Sequence, residues 1–276
     1  MSEYGLMGRI SGMKRFAVHD GDGIRTTVFF KGCPLRCVWC HNPESIGYET
    51  QVAYFEHLCH HCDSCMGEAC PYGARERYGE EISVEALCRR LLADRAFFEA
   101  SGGGVTLSGG ECLSQPTFAL AVAEAMHREG ISVDIDTCGC VPWKQIEATL
   151  PYVDTYLYDV KAIDPELHLR CTGRDNTLIL ENLKRLSDSG ARLEIRIPLV
   201  IGYNDGEIEK IGAFLSDLSD IVRVKVLAYH DLARSRYAAL GMPDPMPQVK
   251  MSASDVATAV QVLKRYGLPA VSGMES

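Results

Sequence analysis

The chain has 276 residues, enough to bury a substantial core, and its 46% hydrophobic and 24% charged residues exclude a disordered or collagen-like protein. A net charge of -9, from 28 Lys and Arg against 37 Asp and Glu, argues against nonspecific binding to nucleic acid or anionic lipid. The chain shows neither the apolar run of a signal peptide nor the roughly 20 apolar residues of a membrane span, so we expect a cytoplasmic protein.

Strand and helix patterns alternate along the chain and predict one α/β domain over residues 1–276. The predicted strands cover residues 25–30, 104–108, 132–137, 155–160, 192–200 and 222–229. Helical patterns lie near residues 83–100, 115–129, 142–150, 176–189, 205–218 and 253–266. Six repeats of strand and helix indicate a parallel sheet with right-handed crossovers. Composition alone leaves open whether that sheet is doubly wound or an incomplete barrel.

Residues 55–80 interrupt this alternation. They hold four cysteines and show no strand pattern and no long amphipathic pattern. We interpret them as a small metal-nucleated insertion within the single domain.

The chemically suggestive residues follow the ends of predicted strands. They are the cysteine loop after residues 25–30, SGGE at 108–111, DTCG at 136–139, Asp159 with Lys161, and His230. Parallel α/β folds place their sites at this edge, so we expect these residues to meet there.

The chain has twelve cysteines, and seven of them fall in two groups at metal-ligand spacing. Such spacing, in a chain of this size without a signal peptide, indicates thiolates that hold metal in a reducing compartment. The other five are scattered, and we interpret them as small buried hydrophobic residues: Cys88, Cys112, Cys138, Cys140 and Cys171.

The first group has the spacing Cys33-x3-Cys37-x2-Cys40. A [4Fe-4S] cube takes one ligand per iron, so three thiolates leave one iron with an exchangeable position for a substrate. The alternatives are a zinc site completed by His41 and three unrelated core cysteines.

With Trp39 before its last cysteine, this group resembles the signature of the radical S-adenosylmethionine (SAM) superfamily. The flanking GIRTTVFFKGCPLRCVWCHNPES is similar to the glycyl-radical-enzyme activating family, which includes pyruvate formate-lyase activating enzyme. The similarity continues through SGGGVTLSGGE, DTCG, YDVKAIDPELHLRCTG, NTLILENL, RIPLVIGYND and LAYH, so it covers almost the whole chain. We therefore predict an incomplete (βα)6 TIM-type barrel with a cysteine-rich ferredoxin-like insertion.

The resemblance implies a reaction. SAM chelates the open iron, one electron from the reduced cluster cleaves it, and the 5'-deoxyadenosyl radical that forms removes hydrogen from a backbone glycine of a partner. The protein orients SAM and excludes water and oxygen.

The resemblance also implies roles for individual residues. Gly109, Gly110 and Glu111 would meet the SAM amino group, and the Asp159 and Lys161 pair would place an ammonium at the SAM carboxylate. The remaining expected SAM contacts are Trp39 at the adenine, His230 from the last strand, Asp136 and Thr137 with a monovalent cation, and Arg196.

Three positions depart from the family pattern. Asp22 and Cys112 stand where relatives commonly carry proline, and Cys140 stands where an aromatic residue is usual. None of these changes removes a ligand, so they bear on which partner is recognised.

The second group, Cys59-x2-Cys62-x2-Cys65-x4-Cys70-Pro71, resembles a bacterial ferredoxin run with one extra residue in its last gap. It predicts one auxiliary [4Fe-4S] cluster. Four cysteines also suit a tetrahedral zinc site, so zinc remains an alternative, and His57, His60 and His61 are possible substitute ligands.

The predicted function is installation of a glycyl radical on a glycyl radical enzyme, with flavodoxin or ferredoxin as electron donor and a monomer as the working form. A radical SAM enzyme with a small-molecule substrate is the alternative. A simple electron carrier leaves the six strand-helix repeats and the GGE motif unexplained.

Overall fold

The computed structural model describes residues 5–62, 65 and 70–273. Its strands are β1 Met7–Ala17, β2 Arg25–Phe30, β3 Gln51–Tyr54, β4 Arg75–Tyr78, β5 Glu80–Ser83, β6 Gly104–Gly109, β7 Ser132–Thr137, β8 Thr155–Asp159, β9 Leu193–Leu199, β10 Ile221–Ala228 and β11 Ala270–Ser272. Its helices are α1 Val84–Leu92, α2 Arg95–Ser101, α3 Pro116–Arg128, α4 Trp143–Glu147, α5 Pro165–Thr172, α6 Thr177–Asp188, α7 Ile208–Leu215, α8 Arg234–Ala239 and α9 Ala253–Arg265.

One large sheet dominates the described part of the chain, in the order β11-β10-β9-β8-β7-β6-β2-β1-β5. The run from β2 through β6 to β11 is parallel throughout. At the other edge β1 pairs antiparallel with both β2 and β5. The predicted α/β class with a large parallel sheet is confirmed, and the described strands leave β11 and β5 as separate edges of an incomplete barrel.

The six predicted strands all form, whereas β1 was not predicted. Its sequence, MGRISGMKRFA, has two glycines and three basic residues, which weaken a strand signal. It forms because β2 and β5 supply a hydrogen-bonding partner on each side.

Two predictions of secondary structure are wrong. The helix expected near 83–100 is divided at Asp94, whose buried carboxylate accepts hydrogen bonds from Thr26 Oγ1 (2.8 Å) and Arg15 Nε (2.8 Å) and so holds the chain against β1 and β2. Residues 55–80 were expected to hold no strand, but β4 lies within them. Its partner is β3, which precedes the predicted insertion.

The core lies between the parallel sheet and the helices that cover it. Each covering helix turns an apolar stripe inward, as Leu87 and Leu91 of α1 and Val122 and Met126 of α3 illustrate, all without exposed surface. This packing fixes the strands, and so fixes the positions of the loops at their carboxyl ends.

None of the described helices is both long and apolar enough to cross a bilayer.

Candidate active site

A cavity of about 590 Å³ opens at the carboxyl ends of the parallel strands. Its wall combines the loop after β2 with residues from the ends of β6, β7, β8, β9 and β10. Cys33, Cys37 and Cys40 all line it. The topology therefore brings the first cysteine group together with residues far away in sequence, as parallel α/β folds do.

The cysteine loop begins at Gly32, which has a φ of +96°. A Cβ there would lie 2.1 Å from the ring of Tyr48, so both the conformation and the space require glycine. Backbone hydrogen bonds then fix the loop: Cys33 N donates to Ile46 O (3.1 Å) and Cys40 N donates to Cys37 O (3.1 Å).

The chemistry of the three thiols suits a metal cluster. Burial raises the pKa of Cys37 and of Cys40, whereas a hydrogen bond with the Cys138 thiol lowers the pKa of Cys33. Buried thiols of raised pKa are inert in water and lose their protons to a metal. Among the described side chains, no three His, Cys, Asp or Glu residues are arranged to hold a single ion. A cube takes one thiolate per iron, so the three residues fit a [4Fe-4S] cluster.

Lys161 is the cavity's buried cation. Its ammonium, with a side chain only 6% exposed, donates a hydrogen bond of 2.5 Å to Asp159 Oδ2. Burial by itself lowers the pKa of Lys161, but the Asp159 carboxylate and the Cys37 sulfur outweigh burial and raise it above its ordinary value. The lysine is therefore charged and in position to pair with an anionic group of a ligand.

Asp136 presents a second carboxylate to the cavity. Its Oδ2 accepts a hydrogen bond from Ser108 Oγ (2.7 Å) and lies 3.4 Å from Arg196 Nη1. Burial raises the pKa of Asp136 to about 6 against the lowering effect of Arg196. Arg196 does not itself line the cavity, because its guanidinium is held between Asp136 and Glu194 (Nε to Oε1, 3.3 Å).

Glu111 is fully buried and lies behind the wall. Its carboxylate accepts hydrogen bonds from Leu113 N (3.1 Å), Thr137 Oγ1 (2.8 Å) and Cys138 N (2.8 Å). In the described structure Glu111 therefore holds the loop after β7. Gly109 and Gly110 line the cavity, and Glu111 does not.

Two pairs of aromatic rings lie at the wall, whose apolar part also includes Leu35, Val200 and Met251. The His41 and His230 rings stack with centroids 4.0 Å apart, and His41 Nε2 donates a hydrogen bond of 2.8 Å to His230 O. Trp39 is buried and meets Tyr203 edge to face at 6.4 Å. Flat apolar surfaces of this kind suit a nucleobase.

The cavity thus contains most of the residues predicted for it. The lining includes Cys33, Cys37, Cys40, Trp39, Gly109, Gly110, Asp136, Thr137, Asp159, Lys161 and His230, whereas Glu111 and Arg196 stand behind it. It also includes His41, which the sequence suggested only as a zinc ligand, and Ser108 and Cys138, which belong to the SGGE and DTCG motifs but had no predicted role of their own. Cys138 is buried, as predicted, and it also lines the cavity; its place in DTCG, after a strand that ends at the cavity, was the available signal.

The second cysteine group lies outside this cavity. Cys62 and Cys65 are exposed and Cys59 and Cys70 are half-buried. Cys59 Sγ lies 3.9 Å from His61 Nδ1. The residues at 63, 64 and 66–69, between these cysteines, lie outside the described part of the chain.

Comparison with known proteins identifies the class. The family model of the radical SAM superfamily matches residues 27–215. A domain of pyruvate-formate lyase-activating enzyme from Bacteroides vulgatus ATCC 8482 aligns with a TM-score of 0.52 and 29% identity over 62% of this chain and 99% of that one. Streptococcus suis SuiB has the same fold, with a TM-score of 0.60 and 15% identity over 88% of this chain and 47% of that one. The chain belongs to the radical SAM superfamily.

Two curated relatives narrow the assignment. The trans-4-hydroxy-L-proline dehydratase activating enzyme of Clostridioides difficile is 41% identical, over 82% of this chain and 85% of its own. The pyruvate formate-lyase 2-activating enzyme of Escherichia coli K12 is 38% identical, over 96% of this chain and 92% of its own. Within the superfamily, the chain is therefore an activating enzyme of glycyl radical enzymes. This relationship decides against the small-molecule alternative.

Proposed function

We propose that the cavity at the ends of β2 and β6 to β10 holds a [4Fe-4S] cluster and SAM, and that the chain uses them to install a glycyl radical on a partner enzyme. The observation that supports this most directly is the meeting of three cysteine thiols with the buried ammonium of Lys161 in one cavity. When bound, the cluster and SAM supply the 5'-deoxyadenosyl radical that removes the glycine hydrogen.

The chain's own residues bind and orient. We assign cluster ligation to Cys33, Cys37 and Cys40. We assign the SAM carboxylate to Lys161, which Asp159 holds in place at 2.5 Å. The Gly109 and Gly110 backbone, which lines the same wall, is assigned to the SAM amino group.

Glu111 and Arg196 take positioning roles in this proposal. Glu111 fastens Thr137 and Cys138 through its two short hydrogen bonds, and Arg196 supports Asp136 from behind the wall. Trp39 and His230 would bound the nucleoside and keep water from it. A monovalent cation at Asp136 and Thr137 also belongs to the proposal, and dependence of SAM binding on potassium is its test.

The remaining features of the function are proposals as well. We propose one radical SAM domain over residues 1–276, with an auxiliary [4Fe-4S] cluster on Cys59, Cys62, Cys65 and Cys70 in the insertion at 55–80. Flavodoxin or ferredoxin is the proposed donor, a monomer the proposed working form, and the cytoplasm the proposed location.

Reconstitution without oxygen tests the central proposal. The loaded protein, reduced by photoreduced deazaflavin, should cleave SAM to 5'-deoxyadenosine and methionine. Addition of a candidate glycyl radical enzyme should give a glycine-centred doublet by electron paramagnetic resonance. Zinc in place of iron, or a loaded cluster that leaves SAM intact, would overturn the proposal.

Cysteine variants separate the two metal sites. Cys37→Ala should abolish SAM cleavage, whereas Cys88→Ala, which alters a buried cysteine of α1 outside the cavity, should leave it unchanged. Cys65→Ala should lower the iron content by about four iron atoms per chain. It should leave the rate of SAM cleavage by the photoreduced enzyme unchanged. Loss of zinc instead of iron in Cys65→Ala would show that the auxiliary site is a zinc site.

A further inference from the structure

Three exposed arginines gather beside the cysteine loop, and we call them the arginine face: Arg36, Arg170 and Arg174. Two backbone hydrogen bonds join their segments, from Arg36 N to Thr172 O (2.7 Å) and from Val38 N to Cys171 O (2.9 Å). A Cβ built on Gly173 would lie 3.6 Å from Arg36 Cβ. The three side chains therefore leave the backbone from one small patch of surface.

None of the three arginines forms an ion pair within the described chain, although Arg170 is near enough to Asp164 to interact with it electrostatically. Arg36 Nη1 donates to two carbonyl oxygens, those of Cys33 (2.6 Å) and Leu35 (2.7 Å), which carry no net charge. The described residues place no carboxylate within 4.0 Å of the three guanidinium groups, although the sequence neighbours Glu166 and Asp175 are acidic. Some exposed arginines elsewhere are paired, as Arg89 is with Glu85 at 2.7 Å and Arg265 with Glu209 at 2.6 Å, whereas Arg185 lies over the Trp143 ring at 5.8 Å.

The arginine face is unusual on this molecule. The chain carries a net charge of -9, so its surface as a whole repels acidic proteins, and this patch is a local exception. Leu169, 51% exposed, adds apolar surface next to Arg170. Arginine is one of the residue types that are enriched in protein interfaces.

The location of the face gives it a use. Arg36 lies in the sequence between Cys33 and Cys37 and binds the carbonyl of Cys33, so the face is the outer surface of the loop that holds the proposed cluster ligands. An electron-donor protein seated here would contact the cysteine loop directly. Contacts made by exposed charged groups also suit a partner that must leave after each transfer.

We propose that the arginine face is the docking site of an acidic electron-donor protein. This inference rests on the proposed function, since it requires a reducible cluster on the loop. At the interface the donor loses one electron and the oxidised cluster gains it, with no proton transferred and no bond made or broken. Complementary charge chiefly sets the rate of encounter, so the patch determines how fast the cluster is reduced.

The test uses the iron-loaded holoenzyme with reduced flavodoxin as the probe. We compare the wild type with Arg170→Glu/Arg174→Glu and with Lys14→Glu/Lys264→Glu, which makes the same charge change on β1 and α9. Stopped-flow absorbance follows cluster reduction at low and high salt, and calorimetry measures binding of oxidised flavodoxin. Photoreduced deazaflavin reduces each variant without docking, and iron content confirms that each is folded and loaded. Arg36 is left intact because it binds the cysteine loop.

The reversal at Arg170 and Arg174 should slow flavodoxin reduction at low salt by a factor on the order of ten or more, flatten its salt dependence and weaken binding, while deazaflavin reduction stays unchanged. An equal effect in the lysine control, or no effect in the arginine variant, would overturn the proposal. Normal reduction by flavodoxin with a lost glycyl radical yield would also overturn it, because the face would then belong to the protein substrate. Absorbance reports reduction whether or not SAM is cleaved, so failure of the proposed function is seen separately.

Discussion

Replacement of Lys161 by methionine is the sharpest test of the SAM site. Methionine keeps the length of the buried stem and removes the ammonium that reaches Asp159 at 2.5 Å. If the ammonium pairs with the SAM carboxylate, a charge-assisted hydrogen bond worth about 1.5–3 kcal/mol is lost. Because about 1.4 kcal/mol corresponds to tenfold in affinity, SAM should bind roughly 10- to 100-fold more weakly.

The substitution has a second effect that needs its own control. It leaves the Asp159 carboxylate, 28% exposed, without its cation, and this alone should lower the free energy of unfolding. Asp159→Asn/Lys161→Met removes both charges together, so it should recover stability while SAM binding stays weak. Lys210→Met removes an exposed lysine that pairs with Glu207 at 2.7 Å outside the cavity, and it should leave SAM binding unchanged.

The assay is equilibrium binding of SAM to the iron-loaded variants without oxygen, with chemical denaturation alongside. Unchanged SAM affinity in fully loaded Lys161→Met would refute the assigned role. Recovery of affinity in the double variant would refute it too, since the lysine would then serve only to neutralise its neighbour.

Further predictions concern the supports of the site. Gly139→Ala places a Cβ 1.7 Å from the Tyr158 hydroxyl, and Gly190→Ala places one in open space at a similar positive φ, so denaturation should show about 1–3 kcal/mol greater destabilisation in the first. Glu111→Gln turns an acceptor of three protein hydrogen bonds into a partial donor, so it should lower the free energy of unfolding by about 1–3 kcal/mol; a stability equal to the wild type would contradict this. Burial lowers the pKa of Lys31 from 10.5 to about 8, so between these pH values the folded chain binds fewer protons than the unfolded chain. The free energy of unfolding of the wild type should therefore rise relative to Lys31→Met as pH increases through that window, and a flat difference would show an ordinary lysine.

The strand predictions succeeded where local pattern and tertiary role agree. RTTVFF and SVDIDT are short β-branched or apolar runs, and they form β2, the first strand of the parallel run, and β7 in its interior. Strand β1 was not predicted because its stability comes from its two antiparallel neighbours, which a local pattern does not contain. The division of the first long helix was not predicted for the same reason, since the side chains that hold Asp94 come from β1 and β2.

The site was predictable at the level of which loops meet, because the strand ends of a parallel sheet share one edge. It was not predictable at the level of which atoms face the cavity. Glu111 and Gly110 are neighbours in sequence, yet one lies behind the wall and the other lines it. That difference depends on the donors of the loop after β7, which bind the Glu111 carboxylate.

The charges of the cavity fit the ligand proposed for it. Lys161 and Asp159 form one pair of opposite charges in the wall, and Asp136 with Arg196 behind it forms another. The opposite charges of each pair nearly cancel at a distance, but close to each residue a ligand meets a charge of one definite sign. A ligand with separated ammonium, carboxylate and sulfonium groups can match such a wall point by point, whereas a simple anion or cation meets one repulsive pole for each attractive one. The arrangement therefore suits a zwitterionic molecule, as SAM is at its amino and carboxylate groups.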